Sequence, residues 1–285
     1  MEININNRPV HVAEGATVLE ACRSAGINVP SLCYLKDVSQ NASCGVCVVE
    51  VKGAKSLLRS CITPVTGGME IYTNSPRAMR ARKINVELLL ANHPQDCLIC
   101  DRNGTCELQE LTHALGIGAR QFVRTRKEQL RKDETSLSLV RDPEKCILCG
   151  RCVAVCDQMQ GVKAIDFSGR GLKSKISTFL DSGLGFVACS NCGQCALVCP
   201  TGAITEKSSV SEVWLALQDP GKIVLVQTAP AVRVGIGEAM GMPYGSLVTG
   251  QMVAGLRRLG FSKVFDTNFA ADLTIIEEGN ELLHR

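Results

Sequence analysis

Apolar and polar positions alternate twice at the start of the chain, over Glu2 to Ile5 and Pro9 to Val12, on either side of Asn6 and Asn7. A period of two flanking a turn-forming Asn pair predicts a β-hairpin. Thr17 and Glu20 then form a T-x-x-E capping box for a short helix, which Gly26 can end. Val46 to Val51 and Met69 to Tyr72 predict two more strands. From Pro76 the period lengthens, and Ile84, Leu88 and Leu89 share a helical face that runs up to His93. A second helix is expected after Thr105, with Leu108, Leu111 and Leu115 inward. Much later, Ile223 to Val226 is a continuous apolar run of the kind buried in parallel sheets. A helix with Val248, Met252, Val253 and Leu256, a strand over Lys263 to Phe265 and a helix from Asn268 towards Arg285 follow it. Together they predict a βαβ unit with little sheet to join.

These patterns divide the chain into four segments of an α+β protein, residues 1–75, 76–135, 136–208 and 209–285. The first, strands with one short helix and cysteines in the loops, suits a ferredoxin-like β-grasp unit. The second is small and helical, and the third is built around a duplicated cysteine run. The fourth is an incomplete α/β segment. Between the second and third lies a densely charged stretch, with Arg120, Arg124, Arg126, Lys127, Arg131 and Lys132 against Glu128, Asp133 and Glu134. It reads as a solvated boundary, with a docking surface as the alternative.

Composition narrows the class. At 45% hydrophobic and 21% charged, the 285 residues exclude disorder. No run of ~18 apolar residues exists to span a membrane. The start, MEININNRPV, lacks the basic and apolar stretches of a signal peptide, so a cytoplasmic location is expected. A formal charge of +3 is too small to argue for nucleic acid. The 16 cysteines, all between Cys22 and Cys199, are therefore expected to be reduced thiols, and metal is their default role.

Their spacing is specific. Cys146-x2-Cys149-x2-Cys152-x3-Cys156 and Cys189-x2-Cys192-x2-Cys195-x3-Cys199-Pro200 are runs of the bacterial two-cluster type. Three cysteines of a run wrap one [4Fe–4S] cluster, and the fourth ligates the other cluster. One set is thus Cys146, Cys149, Cys152 and Cys199, and the second is Cys156, Cys189, Cys192 and Cys195. Asp157 stands where such a run usually has Pro. Two structural zinc sites are the alternative, and zinc has no use for a pair of four-cysteine runs. Cys33-x10-Cys44-x2-Cys47-x13-Cys61 has plant-type [2Fe–2S] form, with a longer first loop than the plant C-x4-C spacing. Cys22, on the capped helix beside Val18 and Ala25, reads as a buried structural thiol. His93-x3-Cys97-x2-Cys100-x5-Cys106 is a three-cysteine set with a histidine just upstream. His93 is taken as the fourth ligand of a third [4Fe–4S] cluster, with His113 as the alternative. An imidazole in place of a thiolate removes one negative charge and should raise the potential. Gly235, Gly237 and Gly241 do not form G-x-G-x-x-G, and no flavin or nicotinamide site is expected on this chain.

Four cluster sites in this order, with HPQDCLIC and Cys106 between the outer ones, resemble the N-terminal half of [FeFe]-hydrogenases of the multisubunit, NAD(P)-linked kind. The large iron–sulfur subunit of complex I and some formate dehydrogenases share the pattern over residues 1 to about 207. The tail IVLVQTAPAVRVGIGEAMG, residues 223–241, looks like the opening of the hydrogenase active-site domain. The resemblance implies an electron-transfer subunit, relaying single electrons between a flavin- and NAD(P)-binding partner subunit and ferredoxin or another redox partner. Further iron–sulfur subunits, an anaerobic host and a bifurcating complex go with it. It also implies four active-site cysteines beyond this stretch. Residues 200–285 carry none, so no catalytic residue and no hydrogen chemistry are expected here. A catalytic hydrogenase of which this is the N-terminal part is the rival reading.

Cluster ligation changes the charge. With oxidised cores, three four-thiolate clusters and one His-ligated cluster contribute a formal total of about −7. The mildly basic apoprotein becomes a mildly acidic redox carrier.

Overall fold

The computed structural model describes residues 1–118, 121–125 and 129–285. Arg120, Arg126, Lys127 and Glu128 of the charged stretch lie outside the described residues. The chain forms two compact units, residues 1–207 and 208–285.

In the first unit, β1 (Glu2–Ile5) and β2 (Arg8–His11) pair antiparallel around Asn6 and Asn7, both at positive φ. That geometry suits Asn, whose short polar side chain tolerates it. The capping box on α1 (Val18–Ser24) is complete, Thr17 accepting from Glu20 and Glu20 reaching back. Strands β3 (Val48–Val51), β4 (Leu58–Arg59) and β5 (Glu70–Tyr72) finish a five-stranded sheet of order β2-β1-β5-β3-β4, in which β1 and β5 run parallel. Ile3, Ile5, Val18, Leu19, Val49 and Ile71 fill its core. Cys22 sits in that core, and burial pushes its thiol up to about 11.

Helix α2 (Pro76–Asn92) begins at Ser75, whose side chain caps it, and ends at His93. Its inward face matches the expected one only at Leu89, which packs against the core. Ile84 and Leu88 are exposed, while Ala78, Arg82, Val86 and Glu87 are buried. The apolar stripe misled because the buried face carries an arginine with work to do on backbone carbonyls. Helix α3 (Glu107–Ala114) buries Leu108 and Leu111 as expected, and His113 is exposed on it. Leu32, Val46, Val86, Leu108, Leu111 and Cys149 form one shared core. The β-grasp sheet, the two helices and the first cysteine run therefore fold as one body.

The remainder of this unit is two antiparallel ribbons. One pairs β6 (Leu139–Arg141) with β9 (Ile204–Glu206); the other pairs β7 (Asp166–Ser168) with β8 (Lys175–Ser177). Two one-turn helices, α4 (Arg151–Ala154) and α5 (Gln194–Leu197), carry the third cysteine of each run. The described part of the charged stretch is largely exposed, as a solvated boundary is, and is anchored at a few points. Arg124 pairs with Glu144, Leu130 N–H donates to Glu144 at 2.8 Å, and buried Asp133 faces Arg141 at 3.4 Å. Arg124 and Asp133 thus tie the stretch to the ferredoxin-like body, while Lys132 and Glu134 pair with each other and stay more than half exposed.

The second unit holds α6 (Val210–Gln218), β10 (Leu225–Thr228), α7 (Val232–Ala239), α8 (Thr249–Arg258), β11 (Lys263–Asp266) and α9 (Thr267–His284). β10 and β11 pair parallel across the predicted crossover. The strand starts later than expected and is not buried, with Ile223 80% and Leu225 53% exposed. A two-stranded sheet has too little surface to cover both faces. Gly237 lies inside α7, where a Cβ would come within 3.2 Å of Val248, so this glycine serves packing, whereas nothing lies within 4 Å of a Cβ on Gly235 or Gly241. Among the described residues, no helix is long and apolar enough to cross a membrane.

Candidate iron–sulfur sites

Cys33, Cys44, Cys47 and Cys61 are all buried, and they come together in twos. The Sγ atoms of Cys33 and Cys44 are 3.4 Å apart, and those of Cys47 and Cys61 are 3.3 Å apart. Within each pair one thiol is held down by hydrogen bonding from its partner, Cys33 by Cys44 and Cys47 by Cys61, and the partner is pushed up. The Cys33 charge also reaches Cys47 and Cys61, so the two pairs share one neighbourhood. Two thiol pairs fit two irons, each taking one pair. Helix α2 holds the loop between the pairs. Arg82 donates to the carbonyls of Val46, Val48 and Thr73 at 3.0, 3.1 and 3.2 Å, and Asn85 to that of Gly45 at 2.6 Å. Gly45 is required there, since at φ 64° a Cβ would lie 2.9 Å from Asn85 Nδ2.

The duplicated runs bend the backbone twice at matched positions. Leu148 and Asn191 have φ of 55° and 54°, and Gly150 and Gly193 have 78° and 76°. Left-handed residues of this kind curl the chain into a concavity that sulfur-rich anions occupy. One apolar cavity is lined by Cys146, Cys149, Cys152 and Cys199. Another is lined by Cys156, Cys189, Cys192 and Cys195. These are the two quartets expected from spacing, each with its fourth cysteine from the other run. Leu148 N–H points at Cys146 Sγ (3.4 Å) and Ala164 N–H at Cys156 Sγ (3.3 Å), as thiolate ligands need. Burial pushes Cys149 up to about 12 and Cys195 up to about 11. Such thiols ionise only beside a strong cation, which iron held here would supply.

The histidine set abuts the first of these cavities. Cys106 Sγ lies 3.6 Å from the carbonyl of Pro200, and a Cβ on Gly202 would approach Cys100 Sγ to 2.8 Å. Arg102 donates to the Cys199 carbonyl at 3.2 Å. The Cys100 and Cys97 charges both raise the Cys106 thiol, which burial raises most, while Cys97 itself is exposed. His93 is buried, and burial lowers its pKa. Its Nδ1 is 2.8 Å from the Pro94 carbonyl. A carbonyl only accepts, so Nδ1 carries the hydrogen and Nε2 carries the lone pair that a metal takes.

Sequence reasoning missed the polar side chains that join these sites. Asn41 Nδ2 donates to the Cys149 carbonyl at 2.7 Å. Buried Arg151 meets Glu107 with both terminal nitrogens, at 2.6 and 3.0 Å, and donates to Ser31 O at 3.1 Å. The signal for Arg151 was present in the duplication, where its counterpart is Gln194.

Cysteine quartets around apolar cavities on ferredoxin-like ribbons, beside a β-grasp sheet with paired thiols, define an iron–sulfur protein. Comparison with known families agrees. Residues 1–76 match the 2Fe-2S iron-sulfur cluster binding domain, and 82–121 the NADH-ubiquinone oxidoreductase-G iron-sulfur binding region. Residues 138–205 match the ferredoxin-like domain of NADH-quinone oxidoreductase subunit 3, and 222–285 the C-terminal domain of the iron only hydrogenase large subunit. The chain is 47% identical, over its whole length, to 49% of the NADP-reducing hydrogenase subunit HndD of Solidesulfovibrio fructosivorans. It is 37% identical over 99% of its length to 49% of iron hydrogenase 1 of Clostridium pasteurianum. A crystal structure of an NAD+-reducing [NiFe]-hydrogenase in the H2-reduced state aligns with 73% of this chain and 88% of its own, at TM-score 0.68 and 33% identity. The chain belongs to the iron–sulfur family of NAD(P)-linked [FeFe]-hydrogenases, related to the large iron–sulfur subunit of complex I, and corresponds to their N-terminal iron–sulfur part. It spans about half the length of the two curated hydrogenase relatives.

Proposed function

We propose that this chain relays single electrons between a flavin- and NAD(P)-binding partner subunit and ferredoxin or another redox partner, within a multisubunit, electron-bifurcating oxidoreductase. What supports this reading is that two cysteine quartets line cavities in one folded body, and that the segments carrying the other two candidate sets hydrogen-bond to the first of them. Cys33, Cys44, Cys47 and Cys61 would hold a [2Fe–2S] cluster, and His93, Cys97, Cys100 and Cys106 a [4Fe–4S] cluster. The two quartets of the duplicated runs would hold two more. Bound there, the clusters supply one-electron chemistry at potentials tuned by ligand type, hydrogen bonds and burial. The protein's part is to exclude water with Leu32, Val46 and Ile176, to aim N–H groups at sulfur, and to keep neighbouring sites at fixed spacing. A reducing, low-oxygen cytoplasm suits fifteen ligand thiolates that oxidation would destroy.

The test is anaerobic iron and acid-labile sulfide analysis with EPR of the purified protein. About 14 irons per chain are expected from the four sets. Stoichiometric zinc without iron would sink the reading. The hydrogenase-domain match over residues 222–285 favours a second reading, in which this is the electron-entry half of a hydrogenase. Hydrogen uptake by the native polypeptide purified from its host would support it, and uptake absent at full iron content would refute it.

A further inference from the structure

The two halves of the duplicated run share a backbone but not a charge. Cys149-Gly150-Arg151-Cys152 corresponds to Cys192-Gly193-Gln194-Cys195, with the same pair of left-handed bends. Position by position, a buried guanidinium in the first site replaces a half-buried neutral amide in the second. We propose that Arg151 is a positioning residue that orders this pair, holding the Cys146–Cys149–Cys152–Cys199 site at the higher reduction potential and fixing it against two neighbouring sites. The proposal rests on the cluster reading above.

Position comes from what the guanidinium touches. Its Nη2 donates to Ser31 O at 3.1 Å, two residues before Cys33. Its fork grips Glu107, the residue after Cys106. Nη1 lies 3.5 Å from Val198 O, just before Cys199, and Arg151 itself separates Cys149 from Cys152. One rigid, planar donor thus contacts the backbone or side chain beside ligands of three sets, a geometry lysine cannot copy.

Potential comes from charge. A buried cation stabilises the added electron of the reduced state. Arg102, which donates to the Cys199 carbonyl at 3.2 Å, adds a second cation beside this site, while the remaining charges nearby are paired. Arg141 and Asp133 are both buried and paired, and Lys145 lies 3.4 Å from Asp96 and 3.8 Å from Asp142. The Arg151 side chain is 6% exposed and its Glu107 partner 42%, so water screens the carboxylate more than the guanidinium. Around the second quartet, the pair Lys163 and Asp157 is half exposed on both sides, at 56% and 46%.

The test is a potentiometric EPR titration of the holoprotein with Arg151→Gln, which imports the residue of the duplicate, beside Gln194→Arg and Glu107→Gln. Arg151→Gln should lower one [4Fe–4S] potential by about tenfold in its reduction equilibrium, about 59 mV for one electron. Gln194→Arg should raise the other, and Glu107→Gln should raise the first. Iron and sulfide are counted on every sample. Wild-type protein without iron overturns the cluster reading itself. Full iron with unmoved potentials, or an equal shift of every cluster, overturns the role of Arg151 alone. If Arg151→Gln fails to assemble, Glu107→Gln decides, since full iron with no upward shift also overturns it.

Discussion

Asn41 Nδ2, in the loop that leads to Cys44, donates to the carbonyl of Cys149 in the first bacterial-type run at 2.7 Å. The same amide nitrogen would stand 2.5 Å from a Cβ on Gly150. The glycine is therefore required twice, by a φ of 78° and by the approach of a neighbouring module. Gly193, its duplicate, meets only the first requirement, because nothing lies within 4 Å of its Cβ position. Gly193→Ala should cost about 1–2 kcal/mol from left-handed strain. Gly150→Ala should cost more, and should release iron from one [4Fe–4S] site on mild chelation. Urea midpoints with iron retention after chelator treatment compare the two, and equal behaviour would remove Asn41 from the account.

Cys22 and Cys61 are both fully buried, yet only Cys61 has a thiol partner, at 3.3 Å. Cys22→Ala should leave iron and sulfide content unchanged and soften the protein by about 1 kcal/mol, as a small core truncation does. Cys61→Ala should remove the [2Fe–2S] EPR signal and leave the others. Iron analysis with low-temperature EPR separates the outcomes, and iron loss in the Cys22 variant would contradict its structural role.

His93 presents Nε2 as its lone-pair nitrogen, because Nδ1 is taken by Pro94 O. His93→Cys should retain the cluster at a lower potential, since a thiolate adds negative charge. His93→Ala should lose about 4 irons. A redox titration of the wild type and the Cys variant reads the first expectation, and an unchanged titration would strike His93 from the ligands.

The cysteine spacing made both quartets legible because ligand geometry permits few intervals between thiolates that share a cluster. The hairpin, the capping box and Leu108 and Leu111 were equally legible, since each depends on local chemistry or a simple period. Arg82 shows what was not. Its buried face on α2 looks polar in sequence, and the carbonyls that justify it come from residues 46, 48 and 73, remote along the chain. Asn41 and Arg151 were hidden for the same reason, because their partners are 108 and 44 residues away. The exposure of Ile223 and Leu225 was illegible because an apolar run says nothing about how many strands will cover it.

Arg82 yields a prediction of its own. It is 3% exposed and donates to three carbonyls around the Cys44–Cys47 loop. Hydrogen bonds from a charged donor contribute about 1.5–3 kcal/mol each and are not additive. Arg82→Lys keeps the charge but cannot span three acceptors, so it should cost at least about 2 kcal/mol. Chemical denaturation of the holoprotein measures the loss, and a change under about 0.5 kcal/mol would show the loop to be self-supporting.

Asp133 gives the acid response a location. Burial raises its pKa, but the Thr135 hydroxyl, the Leu184 and Thr135 N–H groups and Arg141 outweigh burial and hold it below the usual 3.8. A carboxylate depressed in the folded state contributes stability in full above its unfolded pKa. That contribution is lost as pH falls through the folded value. The clamp on residues 133–141 should therefore weaken only below about pH 4, where protonation leaves Arg141 facing a neutral acid. Asp133→Asn should lower stability at pH 7 and flatten the acid limb of a stability–pH curve. Urea midpoints from pH 7 down to about 3 test this, and parallel curves for wild type and variant would assign the acid sensitivity to another group.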